Sequence, residues 1–278
     1  MKKLILIIAL LSSITIVSQN ELDNKIDEGI KLYESGKKKN ALKIWKKVEL
    51  ESSKSSSTYG TSLHNILYYY TKAGNEKKSL EYYEKIIFSD LNDKDLNNQL
   101  GQPFKNYRFH SNMTMASFYA NRKKFKTSLY YVEKADSIHF ETTSLTSYIY
   151  QKIDIAFWKY RLLKDLKQDQ VAISKLIKRA FEYEYKKMHP NWTTFSPNND
   201  EIELAETICS EFKNLNDFKL KVDFAIENLE ISKNYMIIFK LDGVIYNINP
   251  YSNLSINEAK EYLKNSFFYY YLNQEISH

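Results

Sequence analysis

Apolar positions recur with helical period through most of the chain. In residues 63–87, apolar or aromatic side chains fall at Leu63, Ile66, Leu67 and Tyr70, then at Leu80, Tyr83, Ile86 and Ile87. This is the spacing of one helix face, met twice. Ala73-Gly74-Asn75 separates the two runs and reads as a turn. Two helices joined this way cannot bury both of their faces on each other, so the unit needs neighbours of its own kind.

The chain supplies them. Taken back 38 residues, Gly29 stands for Leu67, Leu32 for Tyr70 and Gly36 for Gly74, while Ala41, Trp45 and Val48 stand for Ser79, Tyr83 and Ile86. Taken forward 49 residues, Ala116, Tyr119, Ser128, Val132 and Ala135 stand for Leu67, Tyr70, Ser79, Tyr83 and Ile86. Small residues at Gly29, Ala41, Ser79, Ala116 and Ser128 let paired helices approach closely, and Trp45 and Tyr83 are expected to fill the gap to the next unit. Gly29, Gly36, Ala41 and Trp45 in the first copy, Tyr70, Gly74, Ser79 and Tyr83 in the second, and Ala116, Tyr119, Ser128 and Ala135 in the third together resemble the tetratricopeptide repeat (TPR). The family's repeat-end proline is absent from all three copies. The resemblance implies an all-α fold, a TPR-like helical-hairpin array (α-solenoid), whose usual work is holding a partner protein or peptide.

Around that array the chain divides further. Residues 19–140 hold the repeats, and 141–188 hold a degenerate fourth helical pair, with helical runs at 145–166 and 171–185. A break at 189–199 contains Pro190 and Pro197. Residues 200–278 then hold a helical pair, a β-hairpin and a final helix. The hairpin is predicted because Asp242-Gly243 lies between the β-branched runs 235–240 and 244–248. Ser255 and Glu258 form a capping box that opens a single last helix to about Leu272. The hairpin and that helix are expected to cap the array.

Residues 1–18 differ in kind. Lys2 and Lys3 precede an unbroken apolar run at 4–11, and Ser12, Ser13 and Ser18 follow, which is the order of a signal peptide. Cleavage is expected after Ser18, giving a secreted or periplasmic protein of bacterial type. The apolar stretch is shorter than the roughly 20 residues of a membrane span. No span is expected in the mature chain.

Composition adjusts this picture only slightly. Of 278 residues 43% are hydrophobic, enough for a continuous core, and the mean hydropathy of −0.52 excludes a polytopic membrane protein. The 23 Tyr and 15 Phe suit helix packing with phenol groups reaching water. A formal charge of +6 is too mild to signal nucleic acid. The single cysteine, Cys209, falls on an apolar face with Ile202, Ala205, Ile208 and Phe212 and reads as a buried structural thiol.

Candidate chemistry is sparse. The five histidines are scattered, no HExxH, GxSxG, P-loop or GxGxxG occurs, and neither a catalytic residue nor a cofactor is predicted. Asp90, Asn92 and Asp95 lie in one loop, but Lys94 replaces an oxygen donor and no metal is predicted. What remains is binding. In the resembled family the inner face of each first helix lines a concave groove. The matching positions are Ile26, Ile30 and Tyr33, then Thr61, His64, Tyr68 and Lys72, then His110, Met113, Ser117 and Asn121. An extended peptide or a partner's loop is the ligand expected there, unless the chain's own later helices cover these residues. Basic residues at the hairpin turns (Lys37, Lys38, Lys39, Lys77, Lys78, Arg122, Lys123, Lys124) would form a positive edge if the repeats stack in register; a solvated edge is the simpler expectation. The alternative function is a glycan- or small-ligand-binding envelope protein or enzyme that uses Trp158, Trp192, Phe195 and the late tyrosines as a ligand platform, with its site near the 189–199 break.

Overall fold

The computed structural model describes residues 20–91, 106–138, 145–182, 199–250 and 253–277. The expected leader at 1–18, the loop past Leu91, the 101–105 connector and nearly all of the 189–199 break lie outside the described residues. The chain falls into two compact units, residues 1–144 and 145–278.

The first unit is three antiparallel helical hairpins. They pair α1 (residues 20–34) with α2 (Lys38–Glu51), α3 (Ser57–Lys72) with α4 (Glu76–Ile87), and α5 (Tyr107–Ala120) with α6 (Phe125–Asp136). Helix starts are set by short polar side chains. Ser56 caps α3 by accepting from the Tyr59 amide, Asn75 caps α4 from Lys78, and Asn106 caps α5 from Phe109. Gly36 and Gly74 take left-handed φ of 84° and 78° at the first two turns. The third turn has no glycine, and Lys123 adopts φ 56° there instead.

The small positions do what their size allows. Ala41, Ser79, Ala116 and Ser128 are wholly buried, and the Ser128 hydroxyl donates to the Ala116 carbonyl across the third hairpin at 2.8 Å. Gly29 is filled by its own hairpin: a Cβ there would overlap the Trp45 indole, whose N–H donates to the Ile26 carbonyl at 3.4 Å. The indole is thus seated on bare backbone of its own hairpin, and its ring lies against Tyr33, which meets Tyr68 and Tyr69 of the next hairpin. Tyr83 bridges to the next unit. Its hydroxyl donates to Asn112 on α5 at 2.9 Å, and its ring lies edge-on to Tyr131 on α6. Glu49 ties the first hairpin to the second, accepting from Lys85 and Tyr82 of α4.

The second unit holds α7 (Leu145–Asp165), α8 (Asp169–Phe181), α9 (Asn199–Ser210), α10 (Leu215–Glu227), a three-stranded sheet, α11 (Ile256–Lys264) and α12 (Phe267–Ser277). The fourth helical pair, α7 and α8, thus belongs with the C-terminal elements. The sheet runs antiparallel in the order β1 (Glu230–Ile231), β2 (Ile237–Leu241), β3 (Val244–Ile248). Asp242 and Gly243 both take positive φ, the two-residue hairpin turn the sequence calls for. Ile237, Phe239, Leu241, Tyr246 and Ile248 are buried on one face. That face shares a core with the helices: Phe181 of α8 lies edge-on to both Phe239 and Phe268, and Phe239 stacks on Tyr246. A hairpin alone is marginal in water, so this burial is what holds it.

The capping box of Ser255 and Glu258 is present. The single last helix is two helices. The first ends at Asn265, and the Ser266 hydroxyl accepts from the Tyr269 amide, so Ser266 starts α12 afresh. A short strand, β1, also joins the hairpin without a sequence signal of its own.

Glycine-to-alanine changes at Gly29 and Gly36 separate two costs. Gly29→Ala overpacks Trp45 and is expected to destabilise by about 1–3 kcal/mol. Gly36→Ala meets nothing within 4 Å and is expected to cost only the left-handed φ, about 1–2 kcal/mol. In urea unfolding, Trp45→Phe should recover part of the loss in the Gly29→Ala background and none of it in the Gly36→Ala background. A Gly29→Ala protein as stable as the parent would refute the packing.

Candidate functional site

The first helices of the second and third hairpins, α3 and α5, define a groove whose spacing is fixed at both ends. At their starts Tyr107 lies on Gly60, where a Cβ would overlap its ring. The Tyr107 hydroxyl donates to the Ser57 carbonyl at 2.8 Å and shares a 2.6 Å hydrogen bond with Thr61. At their ends the Arg122 guanidinium lies over the Phe118 ring, 3.5 Å from its centre. It donates to the Phe118 carbonyl at 3.2 Å and the Gly74 carbonyl at 3.1 Å. A Cβ at Gly74 would sit 3.2 Å from that guanidinium, so this glycine serves the contact as well as the turn.

Between these contacts lies a groove of about 470 Å³. The helical faces carrying residues 64, 68 and 72 and residues 110, 113, 117 and 121 form its walls. The structure thus brings His64, Tyr68, Lys72, His110, Met113, Ser117 and Asn121 together, with Thr71, Thr114, Phe118 and Arg122 beside them. The His64 and His110 rings meet edge to face at 6.2 Å, and the Thr114 hydroxyl lies 3.5 Å from His64 Nε2. The Lys72 ammonium lies 5.3 Å from the centre of the Tyr68 ring, which is 40% exposed. Thr61 lies outside the groove, held by Tyr107.

On α1 the positions behave differently. Tyr33 packs against Tyr68 and Tyr69, at 5.9 and 6.5 Å, and burial, then those two neighbours, pushes its phenol up from the ordinary range. Ile30 is exposed. Ile26 is a correction: it is 5% exposed, buried with Leu22 and Gly29 along one face of α1. An isoleucine at that register goes into the hairpin, where the polar His64 of the second copy stays half-buried on the groove wall.

The basic turn residues are partly neutralised. Lys37, Lys38, Lys39, Lys77 and Lys123 are exposed, with Lys38 over the Tyr33 ring. Lys78 pairs with Glu81 at 2.6 Å, and Lys124 pairs with Glu76 at 3.2 Å. Hydrogen bonds from Tyr119 and then Lys124 hold the Glu76 carboxyl below its usual range, and burial, then that bond to Glu76, pushes the Tyr119 phenol up. Carboxylates therefore interrupt the positive edge.

The sequence missed Arg122 as a groove residue, and it missed the Gly60–Tyr107 contact. An isolated glycine inside a helical pattern is the signal that could have found the latter. Elsewhere, Trp158 is half-buried on α7, while Trp192 and Phe195 lie outside the described residues. Burial, then Glu275, pushes the Cys209 thiol up to about 11, which leaves it unreactive as a nucleophile. Among the described residues no group of three His, Cys, Asp or Glu could hold a metal ion, and no helix is long and apolar enough to cross a membrane.

No family model and no curated protein matches the chain. Two solved structures of a kinesin light chain candidate from Podosopora anserina with nearly identical TPR-like repeats, one of them a point variant, are each similar at 14% identity. Each match covers 68% of this chain and 84% of the other, with a TM-score of 0.43. Pseudomonas aeruginosa pilF is similar at 12% identity over 75% of this chain and 84% of its own, with a TM-score of 0.42. These likenesses reach no partner and no activity. By its own hairpins, the chain is a TPR-like helical-repeat protein in fold.

Removing the Tyr107 hydroxyl separates its hydrogen bonds from its packing. Tyr107→Phe is expected to cost about 1 kcal/mol, and Gly60→Ala, which displaces the whole ring, about 1–3 kcal/mol. Equal, negligible losses in thermal or urea unfolding would show that α3 and α5 are not held together there.

Proposed function

We propose that this TPR-like chain is a protein-interaction scaffold, exported to the periplasm or beyond, that takes an extended peptide or a partner's loop in the groove between α3 and α5. The reading is carried by one observation: two parallel helix faces, held apart by fixed contacts at both ends, present Tyr68, the two histidines, Met113 and two cations to one concave space. Apolar and aromatic surface with a few convergent polar groups is what peptide grooves use. The mechanism is binding without turnover. Export is supported by the basic, apolar and small-residue order of residues 1–18.

Screening the full chain against a displayed peptide library is expected to return ligands whose affinity falls about tenfold or more on Tyr68→Ala, the loss of a central aromatic anchor, with a smaller loss on His64→Ala. Ligands indifferent to both changes would place binding elsewhere. Expressed with its leader in a bacterial host, the protein should be recovered from the periplasm or medium with Gln19 as its first residue; a cytoplasmic product starting at Met1 would remove the export half of the proposal.

A further inference from the structure

Resting on that groove reading, we infer that the occupant is an acidic extended segment, its carboxylates held at the Lys72–Arg122 end. The charges of the groove are one-sided. Its described lining includes Lys72 and Arg122 and not one Asp or Glu. Elsewhere on this unit several lysines meet carboxylates: Lys78 meets Glu81 on its own helix, and Lys85 and Lys124 meet Glu49 and Glu76 across helices. The two groove cations are placed by other means. Lys72 lies by the Tyr68 ring, and Arg122 is seated on Phe118 and two carbonyls. Glu76, whose carboxylate Arg122 does feel, is engaged by Tyr119 and Lys124. Arg122 donates one hydrogen bond from each terminal nitrogen to those carbonyls, and a guanidinium has five N–H groups, so donors remain for an incoming carboxylate. Such a charge-assisted bond is the strong kind.

Position along the groove adds a length. Lys72 and Arg122 lie at the hairpin-turn end, beside Gly74, and His64 and His110 lie towards the helix starts. From His64 to Lys72 at 1.5 Å per residue is about 12 Å, which an extended chain covers in about four residues at about 3.3 Å each. A segment of that length would reach the Lys72–Arg122 pair with one end and pass Tyr68 and the imidazoles with the rest. A nucleic acid would need cations tracking its backbone throughout, and these two sit at one end.

Fluorescence anisotropy of the full chain tests this with a labelled decapeptide of four consecutive glutamates flanked by Gly and Ser. Controls are the same peptide with glutamines and a ten-base thymidine oligonucleotide. The glutamate peptide is expected to bind at least tenfold more tightly than the glutamine peptide and to weaken with added salt. Lys72 is exposed, so Lys72→Glu should leave the circular dichroism unchanged while weakening the glutamate peptide at least tenfold; Lys72→Arg should preserve binding. Equal binding of both peptides, indifference to Lys72→Glu, tighter binding of the oligonucleotide, or no binding of the glutamate peptide would each overturn the inference. If the two peptides bind equally and Tyr68→Ala abolishes both, the groove reading stands and only its acidic occupant falls.

Discussion

Three glycines of the repeat unit each leave a stretch of backbone bare, and at each a large side chain settles onto it and donates a hydrogen bond to a carbonyl close by. Trp45 lies on Gly29 and donates to Ile26; Tyr107 lies on Gly60 and donates to Ser57; Arg122 lies against Gly74 and donates to it. The physics is the same each time. Without a Cβ the ring or guanidinium approaches closely enough for dispersion contacts along its body, and its polar tip finds a partner; the single donors of Trp45 and Tyr107 are met in this way, while Arg122 keeps further N–H groups for the groove. The first of these contacts closes a hairpin, and the other two set the distance between α3 and α5. A groove between two helices keeps one shape only if their separation is fixed, and here it is fixed at both ends.

That constraint also organises the charge. Arg122 holds the third hairpin's turn to the second hairpin's turn, and in doing so it brings a guanidinium to the groove's edge next to Lys72. Of the turn lysines further out, Lys124 meets Glu76 and Lys78 meets Glu81, which screens those two charges. Lys72 and Arg122 thus bring positive charge to the end of the groove, where the aromatic surface of Tyr68 is also exposed. In the second unit burial does something different: Phe181, Phe239 and Phe268 bind helices and sheet into one core, and the sheet serves that core.

The hairpins were legible because their signals are local. Helical period, turn glycines and small residues two helices apart name α1 to α6 without any knowledge of long-range contacts, and the asparagine and serine caps agree with them. Groove positions on α3 and α5 other than Thr61 fall where the same register puts them. Ile26 does not, because equivalent positions in a repeat share a backbone direction but not a chemistry, and an isoleucine beside Gly29 gains more from burial than from lining a groove. The seat of the Trp45 indole on Gly29 depends on a vacancy in the paired helix that repeat position alone does not name. Arg122 read as one more basic turn residue; its stacking on Phe118 and its reach to Gly74 depend on two hairpins being side by side. The split of the final helix at Ser266 was masked by an unbroken aromatic run, and the grouping of α7 and α8 with the sheet depends on a core that no single segment encodes.

The most direct measurement is amide chemical-shift mapping on the isotope-labelled full chain titrated with the four-glutamate decapeptide. Shifts confined to α3 and α5, strongest around His64, Tyr68, Lys72, His110 and Asn121 and saturating together, are the predicted result. Saturating shifts confined to the β2–β3 sheet and its helices, or none at saturating peptide, would contradict a docking groove between the two first helices.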